Sequence, residues 1–420
     1  MNIIDEFTAL SEIGATSGGG MHRLCATSID GVARDWLRGR LEAAGARVHV
    51  DEIGNVFGLF EFVPSAPYVL TGSHIDSQPT GGKYDGAYGV VASLVAAAGI
   101  AEGVHRGEIV PRRNLAVVAW TNEEGARFQP SLMGSSVFTG ALALDKALLV
   151  TDPAGISVGE ALEAIGYRGI APLDVPIEAY AEIHVEQSSS LERNGIDVAA
   201  VTASWAAYKY NLEILGEQSH TGATPMAERR DALLGAALVI AGVRTMTDSR
   251  PEGLLHSSVT ELRTYPESPN VVTSHATMHV EIRSADYDAL APAEAEFLEL
   301  IESAATAASV DIKIQQLWHR EPARYWEPSE RISHAAAARA DLSSMSLLTV
   351  SGHDSIALNK IAPTVMLFVP SAGGYAHSER EFTEPDDLCN GVKLLHEVLV
   401  DLLFGDLDRT GYDTDPYRAT

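Results

Sequence analysis

The sequence predicts an α/β protein that carries an inserted α+β domain, and three features predict it. Short apolar runs rich in β-branched residues alternate with longer Ala- and Leu-rich segments, the order of strands and helices that pack in layers. Between about residues 205 and 325 the pattern changes to period-two alternation, as in an antiparallel sheet with one solvated face. The length, 420 residues, lies beyond the size at which a single core stops growing. The expected division gives 1–206 and 326–420 to one domain and 207–325 to the insertion.

In chain order, "GVARDWLRGRLEAAGA" is amphipathic with a glycine near its end, the signature of a helix and its stop. "VHVDEIGNVFGLF", "YVLTGSHID" and "NLAVVAWTNEE" are expected strands. "GAYGVVASLVAAAGIA" falls short of the roughly 20 apolar residues that a bilayer requires and is expected to be a buried helix. Within the insertion, "YKYNLEILGE", "SSVTELRTYPESPNVV" and "HATMHVEIRSAD" alternate as strands, while "RRDALLGAALVIAGVRTM" and "ALAPAEAEFLELIESAATAASV" have helical composition. Neither an internal repeat nor a low-complexity linker interrupts this order.

Apolar residues make up 46% of the chain and charged residues 21%, the balance of a globular protein. Nucleic acid is disfavoured as a partner, because a net charge of −27 opposes the phosphate backbone. No membrane association is expected, and acidic residues in "MNIIDEFTALSEIG" occupy the place of a signal's basic region, so a cytoplasmic location is expected. Cys25 and Cys389 are far apart and form no CxxC pattern, so any metal must be held by histidine and carboxylate.

"GSHIDSQPTGGKYDG", residues 72–86, concentrates such groups after an apolar strand. A solvated glycine-rich turn, a phosphate loop and a metal site are three readings of it, and the second lacks both GxGxxG and GxxxxGK[ST]. For metal, His74 stands at the carboxyl end of a strand, where α/β sheets place their sites. Asp76, two residues on, is positioned to accept from the second ring nitrogen of His74 and fix its tautomer, and Asp85 follows after the glycines. "VVAWTNEEGARF" ends another strand in Glu123 and Glu124. Adjacent side chains on extended backbone diverge, so one carboxylate can serve as ligand and its neighbour as general base. "AEIHVEQ", "GEQSHTGATPM" and "GGYAHSERE" add His184, His220 and His377.

With these pieces in order, the chain resembles the hydantoinase/carbamoylase branch of the M20 metallopeptidase family, which includes N-carbamoyl-L-amino acid hydrolases, β-ureidopropionases and allantoate amidohydrolases. The resemblance runs from the N-terminal helix to about Phe404 and includes "TNEEGARFQPSLMGSSVFTG", "HVEQ", "SHTGATPM", "RRDAL", "PNVV", "GHD" and "GGYAHS". It implies an M20-type two-domain fold, an α/β catalytic domain with a mixed sheet plus an inserted α+β lid and dimerisation domain, and a homodimer. It also implies two divalent ions per subunit, zinc, manganese, cobalt or nickel. His74, Asp85 and His184 would hold one, and Asp85, Glu124 and His377 the other. Glu123 would be the general base, and His220 would stabilise the oxyanion, often from the neighbouring subunit. Arg283 in "VEIRSAD" resembles the arginine that grips a substrate carboxylate, while Gln187, Asn270 and His353 match positions that hydrogen-bond the carboxylate or ureido group.

The implied activity is metal-dependent hydrolysis of an N-carbamoyl-L-amino acid or a close ureido or N-acyl analogue, with allantoate as the alternative small-molecule substrate. A silent binding protein of the same fold would be expected to lack the base or a ligand, and Glu123 and all five ligand positions are present. Ser188, Trp205, Ser378 and a short loop before His353 depart from the family pattern and are expected to bear on substrate choice.

Overall fold

The computed structural model describes residues 1–407, so the tail of the expected second catalytic segment lies outside the described residues. The chain divides into two compact units, one formed by Met1–Thr202 with the chain from Arg324, the other by Ala203–Ala323. Both divisions fall a few residues before the expected ones. Strands β1 (Arg47–Val50), β2 (Val56–Phe60), β3 (Tyr68–His74), β4 (Asn114–Trp120), β5 (Ile177–Val185) and β6 (Val198–Ser204) come first. The second unit supplies β7 (Ala206–Leu215), β8 (Ser219–His220), β9 (His256–Tyr265), β10 (Val271–Val272), β11 (His275–Ser284) and β12 (Asp311–Arg320). β13 (Ser344–Thr349) and β14 (Thr364–Val369) follow.

The first unit is built on a mixed eight-stranded sheet in the order β1-β2-β4-β3-β5-β14-β6-β13. β4, β3, β5 and β14 run parallel to one another, and β2 and β6 pair antiparallel at either side of them. Period two explains why this sheet is buried on both faces. On β4, Leu115, Val117 and Ala119 enter one core, while Ala116, Val118 and Trp120 enter another. The first core also takes Leu37 and Leu41 from the helix Ser28–Ala43, and Leu394, Val398 and Leu402 from the helix Pro385–Phe404. Thr27 caps the former by accepting from the Asp30 amide, which starts that helix three residues before the amphipathic stretch begins.

The helix Ala87–His105 is long and apolar enough, by length and composition, to cross a membrane. It instead packs against β3, β4 and β5 and the helices on either side, with both Val90 and Val91 fully buried. As the sequence led one to expect, its all-round apolar character reflects burial in a core.

The second unit holds an antiparallel sheet in the order β12-β7-β11-β9. Helices Ala232–Asp248 and Leu290–Ala308 cover one face, where Tyr208, Tyr210, Leu212 and Ile214 meet Val239 and Phe297. The expected single strand "SSVTELRTYPESPNVV" is broken into β9 and β10, because Pro266 and Pro269 have no amide hydrogen to give to a ladder.

Candidate active site

Because β3, β4, β5 and β14 are mutually parallel, their carboxyl ends lie at one edge of the sheet. His74 is the last residue of β3, His184 the penultimate residue of β5, and Glu123 and Glu124 follow β4. His377 lies in the segment after β14. The sheet thus gathers residues separated by some 300 positions into one place, as α/β sheets do at this edge.

Asp85 is the centre of the cluster. Its Oδ1 lies 3.1 Å from His184 Nε2 and 3.7 Å from His74 Nε2, and its Oδ2 lies 3.2 Å from His377 Nε2. His377 Nε2 is also 3.4 Å from Glu124 Oε2. Two donor groups result, His74 with Asp85 and His184, and Asp85 with Glu124 and His377. Within each, the donor atoms are all within 4.8 Å of one another. The second ring nitrogens are anchored on main-chain carbonyls, His74 Nδ1 on Asp76 O at 2.9 Å and His184 Nδ1 on Val185 O at 2.9 Å. This leaves each Nε2 facing inward as a neutral imidazole ligand would require. Gly86 must be glycine, since it holds a φ of +63° and a Cβ would stand 2.2 Å from His74 Nε2.

Asp76 has a different part from the one expected. Its side chain is 3.8 Å from His74 Nδ1, beyond a hydrogen bond, and its main-chain carbonyl orients the ring instead. β3 ends at His74, so Asp76 lies beyond the strand. The carboxylate of Asp76 accepts the amides of Glu123 and Glu124, each at 3.3 Å, and so sets the turn that aims those two side chains.

Glu124 is fixed from a second direction by Gln78, whose side-chain amide donates to Oε2 at 2.9 Å. Glu123 points elsewhere, with Oε2 3.4 Å from His74 Nε2. Asn122, just before this pair, and Gln187 and His377 hold φ near +50° to +60°, a conformation that costs non-glycine residues energy and clusters at functional sites.

In this cluster four carboxyl groups, Asp76, Asp85, Glu123 and Glu124, stand among three imidazoles, His74, His184 and His377. Burial, then the charges of Asp354 and Glu124, hold Glu123 well above the usual carboxyl range. Burial and Asp85 raise Glu124 to about 8. Burial lowers His74 to about 4. At His184 and His377 burial works against the charged form, but the hydrogen bond and charge of Asp85, with Glu124 beside His377, outweigh it and raise each to about 9. Buried carboxylates this close repel one another unless cations sit among them. The donor set of imidazole and carboxylate therefore fits divalent ions.

The remaining expected site residues divide between the two units. Gln187 turns its amide to Asp85 Oδ2 at 2.8 Å, placing it against the Asp85 carboxylate. His353 is buried, its ring centroid 4.5 Å from that of His184 and its Nε2 3.1 Å from Thr349 Oγ1. In the second unit, β8 pairs with β10 so that His220 opposes Val271, next to Asn270, and both His220 and Asn270 are exposed. The amides of Gly222 and Ala223 each donate to His220 Nδ1 at 3.0 Å, which puts the proton of the neutral ring on Nε2. Arg283 lies on β11 with Nη2 2.8 Å from Glu281 Oε1. Of the departures from the family pattern, Ser378 belongs to the turn beside His377, where its carbonyl accepts the Glu381 amide.

Two residues were not anticipated. Glu381, the last residue of "HSERE", accepts the amides of Tyr84 and Asp85, both at 2.9 Å, and so ties the segment of His377 to the loop of Asp85. Asp354, the last of "GHD", is fully buried and near enough to Glu123 to raise it. Asp354 directly follows His353 in "GHD", and Glu381 closes "GGYAHSERE".

Residues 70–401 match the model of peptidase family M20/M25/M40. A protein of Mycolicibacterium smegmatis named as a hydrolase is 46% identical over 416 residues, covering 97% of this chain and 94% of that protein. An N-carbamoyl-L-amino-acid amidohydrolase of Rhizobium meliloti is 33% identical, with 94% of each chain covered. Among solved structures, an amidase of the hydantoinase/carbamoylase family from Burkholderia vietnamiensis superposes with a TM-score of 0.92 at 34% identity, covering 96% of this chain and 97% of that one.

Proposed function

The chain belongs to peptidase family M20/M25/M40, and from that membership we propose that it is a two-metal amidohydrolase of ureido substrates. Its reaction is hydrolysis of the carbamoyl C–N bond of an N-carbamoyl-L-amino acid, or the equivalent bond of a close N-acyl analogue. The observation that carries this reading is the pair of donor groups that share Asp85. His74, Asp85 and His184 would hold one divalent ion, and Asp85, Glu124 and His377 the other. Such ions supply carbonyl polarisation and a water of lowered pKa.

The chain's own residues do the rest. Glu123 takes a proton from the attacking water and later delivers it to the leaving nitrogen, so that the C–N bond breaks without expelling an amide anion. Asp76 and Gln78 hold Glu123 and Glu124 apart, one as base and one as ligand. His220, with its proton on Nε2, donates to the developing oxyanion. Arg283 grips the substrate carboxylate. The enzyme works as a homodimer, and its two free thiols, Cys25 and Cys389, support a cytoplasmic location.

The test is a substrate panel on the metal-loaded protein: N-carbamoyl, N-formyl, N-acetyl and N-succinyl L-amino acids and allantoate, followed by release of ammonia and free amine. Turnover of the carbamoyl compounds with both products is the expected result. Turnover confined to N-acyl compounds, with no ammonia, would reassign the substrate, and no turnover of any would remove the reading.

A further inference from the structure

The chain between the helices Ile3–Ser11 and Ser28–Ala43 touches both segments that carry donor residues. Thr16 Oγ1 donates to Glu379, two residues past His377. Met21 and Gly81 exchange main-chain hydrogen bonds, 2.9 Å from the Met21 amide and 3.0 Å from that of Gly81, in the turn that leads to Asp85. Gly20 admits this close approach, since a Cβ there would stand 2.4 Å from the Gly81 carbonyl oxygen. Arg23 makes the contact nearest to His74, and only 1% of this arginine is exposed.

The guanidinium of Arg23 donates to three main-chain carbonyls. Nε reaches Ile75 O at 2.6 Å, and Nη1 reaches Leu10 O at 3.1 Å and Ile13 O at 2.7 Å, so one side chain joins the end of the first helix to the loop after β3. The main chain of Arg23 adds two bonds, its amide donating to Ser77 Oγ at 2.9 Å and its carbonyl accepting the Ser77 amide at 3.0 Å. Together these bonds fix the peptide units on either side of Asp76. The unit before it carries Ile75 O, held by the guanidinium. The unit after it carries the Ser77 N–H, held by Arg23 O, and also Asp76 O, which anchors His74 Nδ1. Peptide units are planar, so rotation of either one would swing the Asp76 carbonyl away from His74, or its carboxylate away from the amides of Glu123 and Glu124. Burial works against the charge of Arg23 and brings it down to about 10, although Asp30 and Asp76 favour it. A cation is thus kept where an apolar residue would pack at less cost, and its worth lies in what it holds.

We propose that Arg23 is a positioning residue of the metal centre: by fixing the peptide units around Asp76, it sets both the His74 ring and the turn that parts Glu123 from Glu124. The inference rests on the reading of the two donor groups as metal sites. The hydrogen bonds of Arg23 reach no donor atom, and its action passes through Asp76. Methionine could fill the same space but could not hold Ile75 O, and the ammonium of lysine lacks the planar fork that spans Ile75 O and the helix end.

The test compares the full chain with Arg23→Met, Arg23→Lys and a matched control, Arg113→Met. Arg113 also donates to main-chain carbonyls, those of Leu402 and Gly405, but it precedes β4 and so stands at the opposite end of that strand from Glu123. Zinc and manganese affinities are measured by competition with a chelating dye, and exchange of the Glu123 and Glu124 amide hydrogens by mass spectrometry or NMR. Arg23→Met should weaken metal binding by about 10- to 100-fold and quicken exchange at both amides, with Arg23→Lys between it and the wild type. Arg113→Met should lower Tm and change neither reading. Wild-type affinity in both Arg23 variants overturns the inference, as does an equal loss in Arg113→Met, the mark of general loosening. Should Arg23→Met fail to fold, Arg23→Lys decides by the same comparison. If the wild type itself binds neither metal, the two-ion reading is what fails, and amide exchange then decides the inference: equal rates in wild type and Arg23→Met overturn it.

Discussion

Among single residues, Glu123 and Glu124 are the clearest division of labour in the site. They are consecutive, yet Glu124 lies 3.4 Å from His377 and Glu123 3.4 Å from His74, because Asp76 holds both amides of the turn between them. Glu123→Gln should therefore lower kcat by about a hundredfold or more with no change in bound metal, measured by elemental analysis alongside steady-state kinetics. Loss of metal would move Glu123 into the ligand set. Glu381 makes the complementary case, since it touches no donor atom but fixes the main chain of Asp85. Glu381→Ala should weaken metal binding by about 10- to 100-fold, as removal of such outer partners does, while Glu381→Gln, which still offers an oxygen to both amides, should recover most of it. Equal affinities in all three proteins, by competition with a chelating dye, would leave Glu381 with no such role. His74, His184 and Glu124 were legible in the sequence because they end a strand or stand in the loop just after it, and Asp85 and His377 because they belong to the glycine-bearing motifs "GSHIDSQPTGGKYDG" and "GGYAHSERE". The partners were not. Glu381 and Asp85 are 296 positions apart, and whether Asp76 uses its side chain or its carbonyl is decided by where β3 stops.

Secondary-structure elements were legible wherever burial imposes a period. β3, β4, β7 and β11 each follow a clear apolar pattern, and the helices of the second unit fall where their composition puts them. β12 escaped notice for a physical reason: it is an edge strand exposed at nearly every position, and a bulge between Ile314 and Gln316 breaks its alternation. The turn between β1 and β2 carries a prediction of its own. Asp51 is buried there, accepts the amide and side chain of Asn55, each at 2.8 Å, and is pushed up to about 7 by burial. In the unfolded chain an aspartate titrates near 3.9, so between about pH 4 and pH 7 the unfolded state has released a proton that the folded state keeps. Stability from this group is thus present below about pH 4 and is lost as pH rises to 7. The difference in Tm between wild type and Asp51→Asn should fall across that window, and a difference independent of pH would show that Asp51 is ionised throughout.

On the scale of the whole molecule, the fold explains why one sheet edge can host the chemistry. Four parallel strands deliver their ends together, and bound cations would offset the acidic charge gathered there. The second unit offers Leu233, Leu234, Ile240 and Leu298 as exposed apolar side chains on its two helices, and β9 as an exposed edge strand. Those surfaces suit a twofold interface, so sedimentation at micromolar concentration should give a dimer, and a fully active monomer would contradict it. The central claim is that one carboxylate, Asp85, serves two ions that together run the reaction. It is tested most directly by metal stoichiometry measured with turnover during reconstitution of the metal-free protein. Activity should rise to its plateau as the content reaches two ions per chain, and Asp85→Ala should bind neither ion tightly and be inactive. Full activity with one ion or none, or two ions retained by Asp85→Ala, would contradict the account.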